Sequence, residues 1–253
     1  MRPNLLGEVL ALPSSDINCL RFLHWNIHSW QTRKGDDIKR GVSKIIEESQ
    51  PDVVSLVEVD EQWGMAATLA SVGESLGYAW IFAPAFEFGD QAPLGGFGNA
   101  LLIKPTIHAV QQWQLLWPTK VYNGTEDSEQ RAIVFAKIEY DDEIIWVGST
   151  HLPRGDRVAR HDALNRIVGI CARLVEPWVL CGDFNIPATA WIPDKQRISF
   201  SPNPPVPTYP TENPKEAIDY CLHSSGVALE VDVLEAAHSD HLPLLARCCF
   251  GVE

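Results

Sequence analysis

The sequence lacks any apolar run of the roughly 18 to 20 residues that a membrane-spanning helix needs. Residues 1–18 contain Arg2 as their one basic group and no continuous apolar stretch, so a secretory signal is not expected. No linker, short repeat or low-complexity segment interrupts the chain. We therefore predict a cytoplasmic protein, with an N-terminal extension over residues 1–19 and a single domain over residues 20–253.

Cysteines at the close spacing of a metal or redox motif are also missing. The six cysteines are scattered through apolar contexts, without a Cys-x-x-Cys pair. Cys248 and Cys249 are adjacent, but they lie inside a predicted strand, where we expect them to pack. The pattern predicts that most of the cysteines are reduced thiols in the core.

Basic residues are few. The chain has 20 Lys and Arg against 33 Asp and Glu, and its formal net charge is −13 at pH 7. Such a protein repels polyanions, which counts against tight, non-specific binding of duplex DNA. A phosphate substrate stays open, because carboxylates that hold a divalent cation reverse the local field. Nothing in the sequence indicates a protein partner.

A short apolar run over residues 179–187 does stand out. It stops at Asp183 and Asn185, two polar side chains two positions apart. In an extended segment, residues i and i+2 point to the same face, so this spacing predicts a small polar site at the end of a buried strand. The alternative is an Asx-type turn that only caps the strand.

Two earlier apolar runs end in the same way. Residues 20–28 predict a strand with Asn26 near its tip, and residues 52–59 predict a strand with Glu58 near its end. The apolar spacing between them predicts a helix over residues 37–49. This order describes a βαβ-like unit whose strand ends share one rim.

The rest of the chain continues as strands, two helices and two proline-rich loops. Helices are predicted over residues 63–76 and 156–175, and loops over residues 84–97 and 188–210, the second long enough to be functional. Strands are predicted over residues 78–83, 99–103, 106–116, 131–138, 143–150, 217–222, 227–234 and 244–250. Polar residues that interrupt or end these strands are Asn26, Glu58, Asn99, Arg131, His151, Asp183, Asn185, Asp219, Asp240 and His241.

Several of these residues carry oxygen ligands. Hard divalent cations such as Mg²⁺ prefer oxygen and commonly take one or two carboxylates. Glu58 and Asp240 suit that role.

The motifs together resemble the endonuclease/exonuclease/phosphatase superfamily. The matching stretches occur in the family's order between residues 20 and 243, and they are HWNIH, VVSLVEV, GNALLI, RAIVFAKI, GSTHLP, LCGDFNIP, AIDYCL and SDHLP. The resemblance implies an α/β (α+β) fold, a four-layer αββα sandwich of two packed mixed sheets flanked by helices. It also implies a metal-dependent phosphoesterase site at one rim of the paired sheets.

The resemblance further implies a ligand set and a phosphate-binding set. Glu58 corresponds to the main Mg²⁺ ligand, with Asn26 and Asp240 close to the metal and Mn²⁺ as a substitute. Arg131 and Asn99 correspond to phosphate contacts, and a structural role for Arg131 is the alternative. Whether one or two metals act stays open.

The resemblance implies catalytic roles for the remaining residues. Asp183 and Asn185 correspond to the pair that orients the attacking water and the scissile phosphate. His241, paired with Asp219, corresponds to a phosphate-facing imidazole, and His151 to a second imidazole that stabilises the charged transition state. Either Asp183 or His241 is the general base.

The substrate class is less determined than the reaction class. Lys104 follows the GNALLI stretch where the family often has Ser-Arg, and the chain is compact and acidic. These features favour a small phosphate ester, a lipid headgroup or a single-stranded end over long duplex DNA. A nuclease and a small-molecule or lipid phosphoesterase both fit, and an inactive module that binds a phosphorylated partner is the rival class. Aromatic residues of the predicted rim loops would either stack on substrate or pack, and they are Trp30, Phe86, Phe88, Trp191 and Phe200.

Overall fold

Twelve strands and three α-helices make up the part of the chain that the computed structural model describes, residues 19–61, 68–87, 96–115, 130–155, 157–191, 198–236 and 238–250. The strands are β1 (Cys19–Asn26), β2 (Val53–Asp60), β3 (Ala79–Glu87), β4 (Gly96–Ile103), β5 (Ala109–Leu115), β6 (Ala132–Tyr140), β7 (Glu143–His151), β8 (Trp178–Asp183), β9 (Ile198–Ser201), β10 (Asp219–Ser224), β11 (Val227–Val233) and β12 (Leu244–Phe250). The helices are α1 (Lys39–Ser49), α2 (Thr68–Leu76) and α3 (Arg157–Cys171).

The strands form two six-stranded mixed sheets. The spatial order is β11-β12-β1-β2-β4-β3 in the first sheet and β5-β6-β7-β8-β10-β9 in the second. Each sheet has one parallel pair, β1–β2 and β7–β8, and its other neighbours are antiparallel. Helix α1 connects the first parallel pair and α3 the second, as a parallel connection requires. The carboxyl ends of all four strands can therefore meet at one rim.

The layers follow from which faces are apolar. Phe22, Val147 and Val179 belong to the cluster that fills the space between the sheets. The outer face of the first sheet packs against α1, whose Val42 and Ile46 lie one turn apart and are fully buried. The second sheet packs against α3 in the same way. This arrangement confirms the predicted four-layer αββα sandwich.

Several predicted boundaries move. The helix predicted over residues 156–175 ends at Cys171, and the one predicted over 63–76 is described only from Thr68, since residues 63–67 lie outside the described ranges. The loop predicted over residues 84–97 is wrong at both ends, because β3 runs to Glu87 and β4 begins at Gly96. Pro84 is tolerated because β3 is an edge strand with a register shift after that residue. Strand β9 lies inside the other predicted loop, where it pairs with β10.

The prediction of mostly reduced cysteines is wrong for four of the six. Cys19 bonds to Cys249, and Cys181 bonds to Cys221. In each pair the two residues lie directly opposite each other on neighbouring antiparallel strands, which places their side chains on the same face. Separations of 230 and 40 residues hide these pairs from any spacing rule. Cys171 and Cys248 are buried free thiols.

Thiol titration tests this pairing. In guanidinium chloride without reductant, we expect two reactive thiols per chain, and six after reduction. Without denaturant, Cys171 should react slowly, because burial raises its pKa to about 12. Six reactive thiols in denaturant before any reduction would contradict both bridges.

Within the described ranges, none of the helices is both long and apolar enough to cross a bilayer.

Candidate active site

The site forms where the two parallel strand pairs end. Asn26 ends β1, Glu58 lies near the end of β2, His151 ends β7 and Asp183 ends β8. His151 and Asp183 are register partners across β7 and β8. The carboxyl ends of parallel strands point the same way, so the two sheets deliver these four side chains to one rim.

A cavity of about 240 Å³ opens at this rim. Among the residues that line it are seven of those predicted from the sequence, namely Glu58, Arg131, His151, Asp183, Asn185, Asp240 and His241. Asn26 and Asp219 are buried directly behind this lining and contact it. Asn99 is placed differently, since its amide donates a 2.8 Å hydrogen bond to the carbonyl of Ala132 and so joins β4 to β6 of the other sheet.

Glu58 reaches the cavity through an irregular backbone. Its φ is 56°, which is uncommon outside glycine, and the pairing of β2 with β4 shifts register at this residue. A bulge of this kind turns one side chain away from the regular alternation of the strand. The amide of Asn26 then donates to Glu58 Oε1 at 3.0 Å and to Asp183 Oδ2 at 3.1 Å. Asn26 therefore links the carboxylates of the two sheets.

Asp183 is a buried carboxylate held from both sides. Its Oδ1 accepts the backbone N–H of Asn185 at 3.0 Å, and Asn185 has a φ of 52° that allows this tight turn. Burial and the charge of Asp219 raise the pKa of Asp183 to about 7. A carboxylate with this pKa can accept a proton near neutral pH.

His241, which lies beside Asp183, carries a positive charge. Its Nδ1 lies 2.8 Å from Asp219 Oδ2, and its Nε2 lies 3.7 Å from Asp183 Oδ2. Burial alone would lower the pKa of His241, but the charges of Asp219 and Asp183 raise it to about 10. Burial likewise acts to raise the pKa of Asp219, but His241 and His24 bring it well below its ordinary value. His241 is thus an imidazolium, and Asp219 its counter-ion, at neutral pH.

The second imidazole differs in charge. His151 is buried, and its Nε2 accepts a hydrogen bond from the side-chain amide of Asn185 at 3.1 Å. Burial and the nearby Arg131 and His241 lower its pKa well below the ordinary value. His151 is therefore neutral, so charge on the histidine side of the cavity comes from His241.

Two contacts to Asp219 were not predicted from the sequence. The hydroxyl of Thr208 donates to Asp219 Oδ2, and Nε2 of His24 lies 3.6 Å from Asp219 Oδ1. Thr208 belongs to a segment predicted only as a loop long enough to be functional, and His24 lies in the HWNIH stretch, in which only Asn26 was given a role. No local signal in the sequence points from either residue to Asp219.

The rim beside His241 is both aromatic and cationic, and it too was not predicted. Arg33 and Arg154 each donate from Nη2 to the hydroxyl of Tyr209, at 2.8 and 3.3 Å. Their guanidinium carbons lie 5.2 and 5.4 Å from the centre of the Tyr209 ring. The Tyr209 ring lies 4.7 Å from that of His241, and Arg33 Nε lies 3.4 Å from Asp240 Oδ2. Arg154 and Tyr209 also line the cavity.

The aromatic residues predicted for the rim loops pack instead, where they are described. Trp30 is almost fully buried in the cluster under α1. Trp191 donates to the hydroxyl of Tyr220 at 2.6 Å, and Phe200 packs in the cluster under α3. Phe88 and the side chain of Phe86 lie outside the described part of the chain.

The donors at the rim fit a hard divalent cation. Glu58, Asp183 and Asp240 offer carboxylate oxygens to one cavity. Asp183, Asp219 and His241 also bring one ligand atom each within 4.8 Å of the others. In that second group, however, Asp219 and His241 are already hydrogen-bonded to each other. The Glu58 side of the cavity is therefore the better fit for a metal.

A family model matches most of this chain. The model described as "Endonuclease/Exonuclease/phosphatase family" matches residues 23–241. That stretch contains all ten residues predicted for the site. No curated protein sequence matches the chain.

Solved structures with the same fold cover nearly the whole chain. An endonuclease/exonuclease/phosphatase from Bacteroides vulgatus superposes with a TM-score of 0.75 at 18% identity, over 92% of this chain and 99% of that one. A mannosyl-6-phosphatase from Bacteroides thetaiotaomicron gives a TM-score of 0.73 at 16% identity, over 91% and 100%. The human Nocturnin catalytic domain, which has a bound sulfate anion, gives 0.65 at 21% identity, over 92% and 94%. At these identities the likeness shows the fold.

Proposed function

The chain belongs to the endonuclease/exonuclease/phosphatase family of phosphoesterases, and we propose that it hydrolyses a phosphate ester by in-line attack of water beside a divalent cation. The observation that carries this proposal is that a carboxylate able to accept a proton lies beside a protonated imidazole in one cavity. Asp183 has a pKa of about 7 and His241 a pKa of about 10, and Oδ2 of Asp183 lies 3.7 Å from Nε2 of His241. Glu58 and Asp240 line the same cavity. The proposed unit is the single domain over residues 20–253.

The metal would be held on the Glu58 side. Glu58 is its main ligand, with Asp240 and the side chain of Asn26 close to it, and Mg²⁺ is the cation we propose, with Mn²⁺ as a substitute. When bound, the cation would supply positive charge to the oxygens of the phosphate.

The protein's own groups divide the proton chemistry. Asp183 is the better base, because His241 is already protonated at neutral pH. His241 can donate from Nε2 to a phosphate oxygen as negative charge develops there, while Asp219 keeps Nδ1 engaged. Asn185 holds the other oxygen of Asp183 through its backbone N–H and leaves the carboxylate oriented for the attacking water.

The volume of the cavity favours a small ester. Its volume of about 240 Å³ lies below the roughly 300 to 1,000 Å³ of drug-sized ligand sites. The similarity in fold to a mannosyl-6-phosphatase agrees with a small phosphorylated substrate. A single-stranded nucleic-acid end is the second candidate, since Tyr209 between two guanidinium groups could stack on a base.

A substrate panel tests the proposal. p-Nitrophenyl phosphate, bis-p-nitrophenyl phosphate, sugar phosphates, single- and double-stranded DNA, RNA and sphingomyelin would be incubated with Mg²⁺, Mn²⁺ or EDTA. We expect hydrolysis of a small ester that EDTA abolishes and added Mg²⁺ restores. If the folded protein cleaves nothing with either metal, an inactive binding module becomes the better interpretation.

Glu58→Gln tests the metal site without relying on turnover. In the parent protein, we expect Mg²⁺ to raise the melting temperature, because a ligand that binds the native state stabilises it. In the variant this rise should require much more Mg²⁺, since the main charged ligand is lost. Glu139→Gln, at an exposed position of β6, is the matched control and should respond as the parent does. An unchanged response in Glu58→Gln would remove Glu58 from the ligand set.

Arg154→Ala tests the rim. Arg154 lines the cavity beside Tyr209, so its loss should raise KM about tenfold, the size of one charge-assisted hydrogen bond, with little change in kcat. Arg173→Ala, at an exposed position after α3, should leave both constants unchanged. A fall in kcat with constant KM would instead place Arg154 among the groups that act on the transition state.

A further inference from the structure

His24 is a buried histidine that the proposed chemistry leaves unused. It lies on β1 two residues before Asn26, and only 1% of its surface is exposed. Positions two apart on a strand share a face, so His24 points into the space between the sheets on the same side as Asn26. A histidine so deeply buried needs polar partners on both ring nitrogens.

One ring nitrogen of His24 has a hydrogen-bond partner, and the other faces an oxygen that also lacks one. Nδ1 lies 2.9 Å from the hydroxyl of Ser55, which lies 2.7 Å from the hydroxyl of Ser149 on the other sheet. Nε2 lies 3.6 Å from Asp219 Oδ1. Within the described part of the chain, both of these last two atoms are buried without a hydrogen-bond partner. Each of these two atoms is thus of the kind that the other lacks as a hydrogen-bond partner.

Asp219 therefore lies between two imidazoles. Its Oδ2 contacts Nδ1 of His241, which faces the cavity, and its Oδ1 faces His24, which lies deeper between the sheets. In the row behind His24, the hydroxyl of Ser55 donates to that of Ser149.

We propose that His24 is a positioning residue, which fixes the plane of the Asp219 carboxylate and thereby the ring of His241. This proposal rests on the proposed role of His241. A carboxylate held at one oxygen can still turn about its last side-chain bond, whereas one with an imidazole against each oxygen is more restricted. Because His241 Nε2 must meet a phosphate oxygen, a small rotation of its ring weakens catalysis without weakening substrate binding.

Three variants test the proposal. His24→Leu keeps the volume and removes both ring nitrogens, whereas His24→Gln places an amide N–H close to the position of Nε2. We expect His24→Leu to lower kcat about 10- to 100-fold with KM nearly unchanged, and His24→Gln to recover most of the loss. His223→Leu, a buried histidine on β10 that contacts Ser201 and the carbonyl of Ser224, controls for removal of a core imidazole and should keep the parent kcat.

A spectroscopic measurement separates this proposal from the proposed function. The ring N–H proton of His241 that bonds to Asp219 should give a downfield NMR signal, assigned by its loss in His241→Gln. That signal should move or broaden in His24→Leu and stay near its parent position in His24→Gln, whether or not any substrate is cleaved. The proposal is overturned if the signal is unchanged in folded His24→Leu, or if His24→Gln and His24→Leu lose kcat equally.

Discussion

Replacing Asp183 by asparagine should lower kcat about 10³-fold, within the range that a positioned general base contributes. The substitution keeps the shape and one of the two hydrogen bonds from Asn26 and Asn185, since an amide has a single oxygen, and the amide cannot accept the proton of the attacking water. KM should change little, because the substrate contacts remain. Steady-state kinetics on the ester selected from the panel gives both constants.

The control for this variant is Asp232→Asn, at an exposed position of β11. It removes the same charge from the protein and should keep the parent kcat. A kcat for Asp183→Asn within tenfold of the parent would show that another group accepts the proton.

The same variant should change the pH dependence of stability. Burial and Asp219 raise the folded-state pKa of Asp183 to about 7 from an ordinary 3.8. Its contribution to stability is therefore complete below about pH 4 and is lost as the pH rises through about 7. In EDTA, the melting temperature of Asp183→Asn relative to the parent should be higher at about pH 8.5 than at about pH 5. A difference that is equal at both pH values would contradict the raised pKa.

Replacing His241 by glutamine should lower kcat about 10²- to 10³-fold, the usual loss for one donor to a developing oxyanion. The pKa of about 10 makes His241 the charged donor of the cavity, and glutamine supplies an N–H without the charge. His108→Gln, at an exposed histidine, should be silent. Between about pH 6 and pH 9 the parent should show no loss of activity from His241, because a group with this pKa stays protonated there.

A loss of less than tenfold in His241→Gln would contradict the assignment. In that case the neutral His151 and Arg131, which line the same cavity, would carry the stabilisation instead.

The strand ends of the site could be predicted because apolar runs stop there. Asn26, His151 and Asp183 each end a buried strand, and the alternation of a strand tells which side chains share a face. The order of the motifs then supplied the sandwich and the family. Asn99 shows the limit of that reasoning, because the motif it belongs to is present while its side chain bonds to Ala132.

What escaped prediction depends on contacts between distant segments. His24 reads as one more residue of a buried strand until Asp219 is seen beside it, and Thr208 lies in a segment without periodicity. The bridge between Cys181 and Cys221 depends on the register of β8 against β10, which no local pattern specifies. The strained backbone of Glu58 likewise depends on how β2 pairs with β4.

The strand orders of the two sheets have a geometric consequence. In the first sheet, when β11 and β12 are counted before β1, a hairpin is followed by a strand, a helix, a parallel strand and an antiparallel pair. The elements from β5 through β10 follow the same order in the second sheet. Asn26 and Glu58 then occupy in one half the places that His151 and Asp183 occupy in the other. The cavity lies where these two halves with the same order of elements meet. One half supplies the proposed cation ligands and the other the proposed base and neutral imidazole, so neither half contains a complete site.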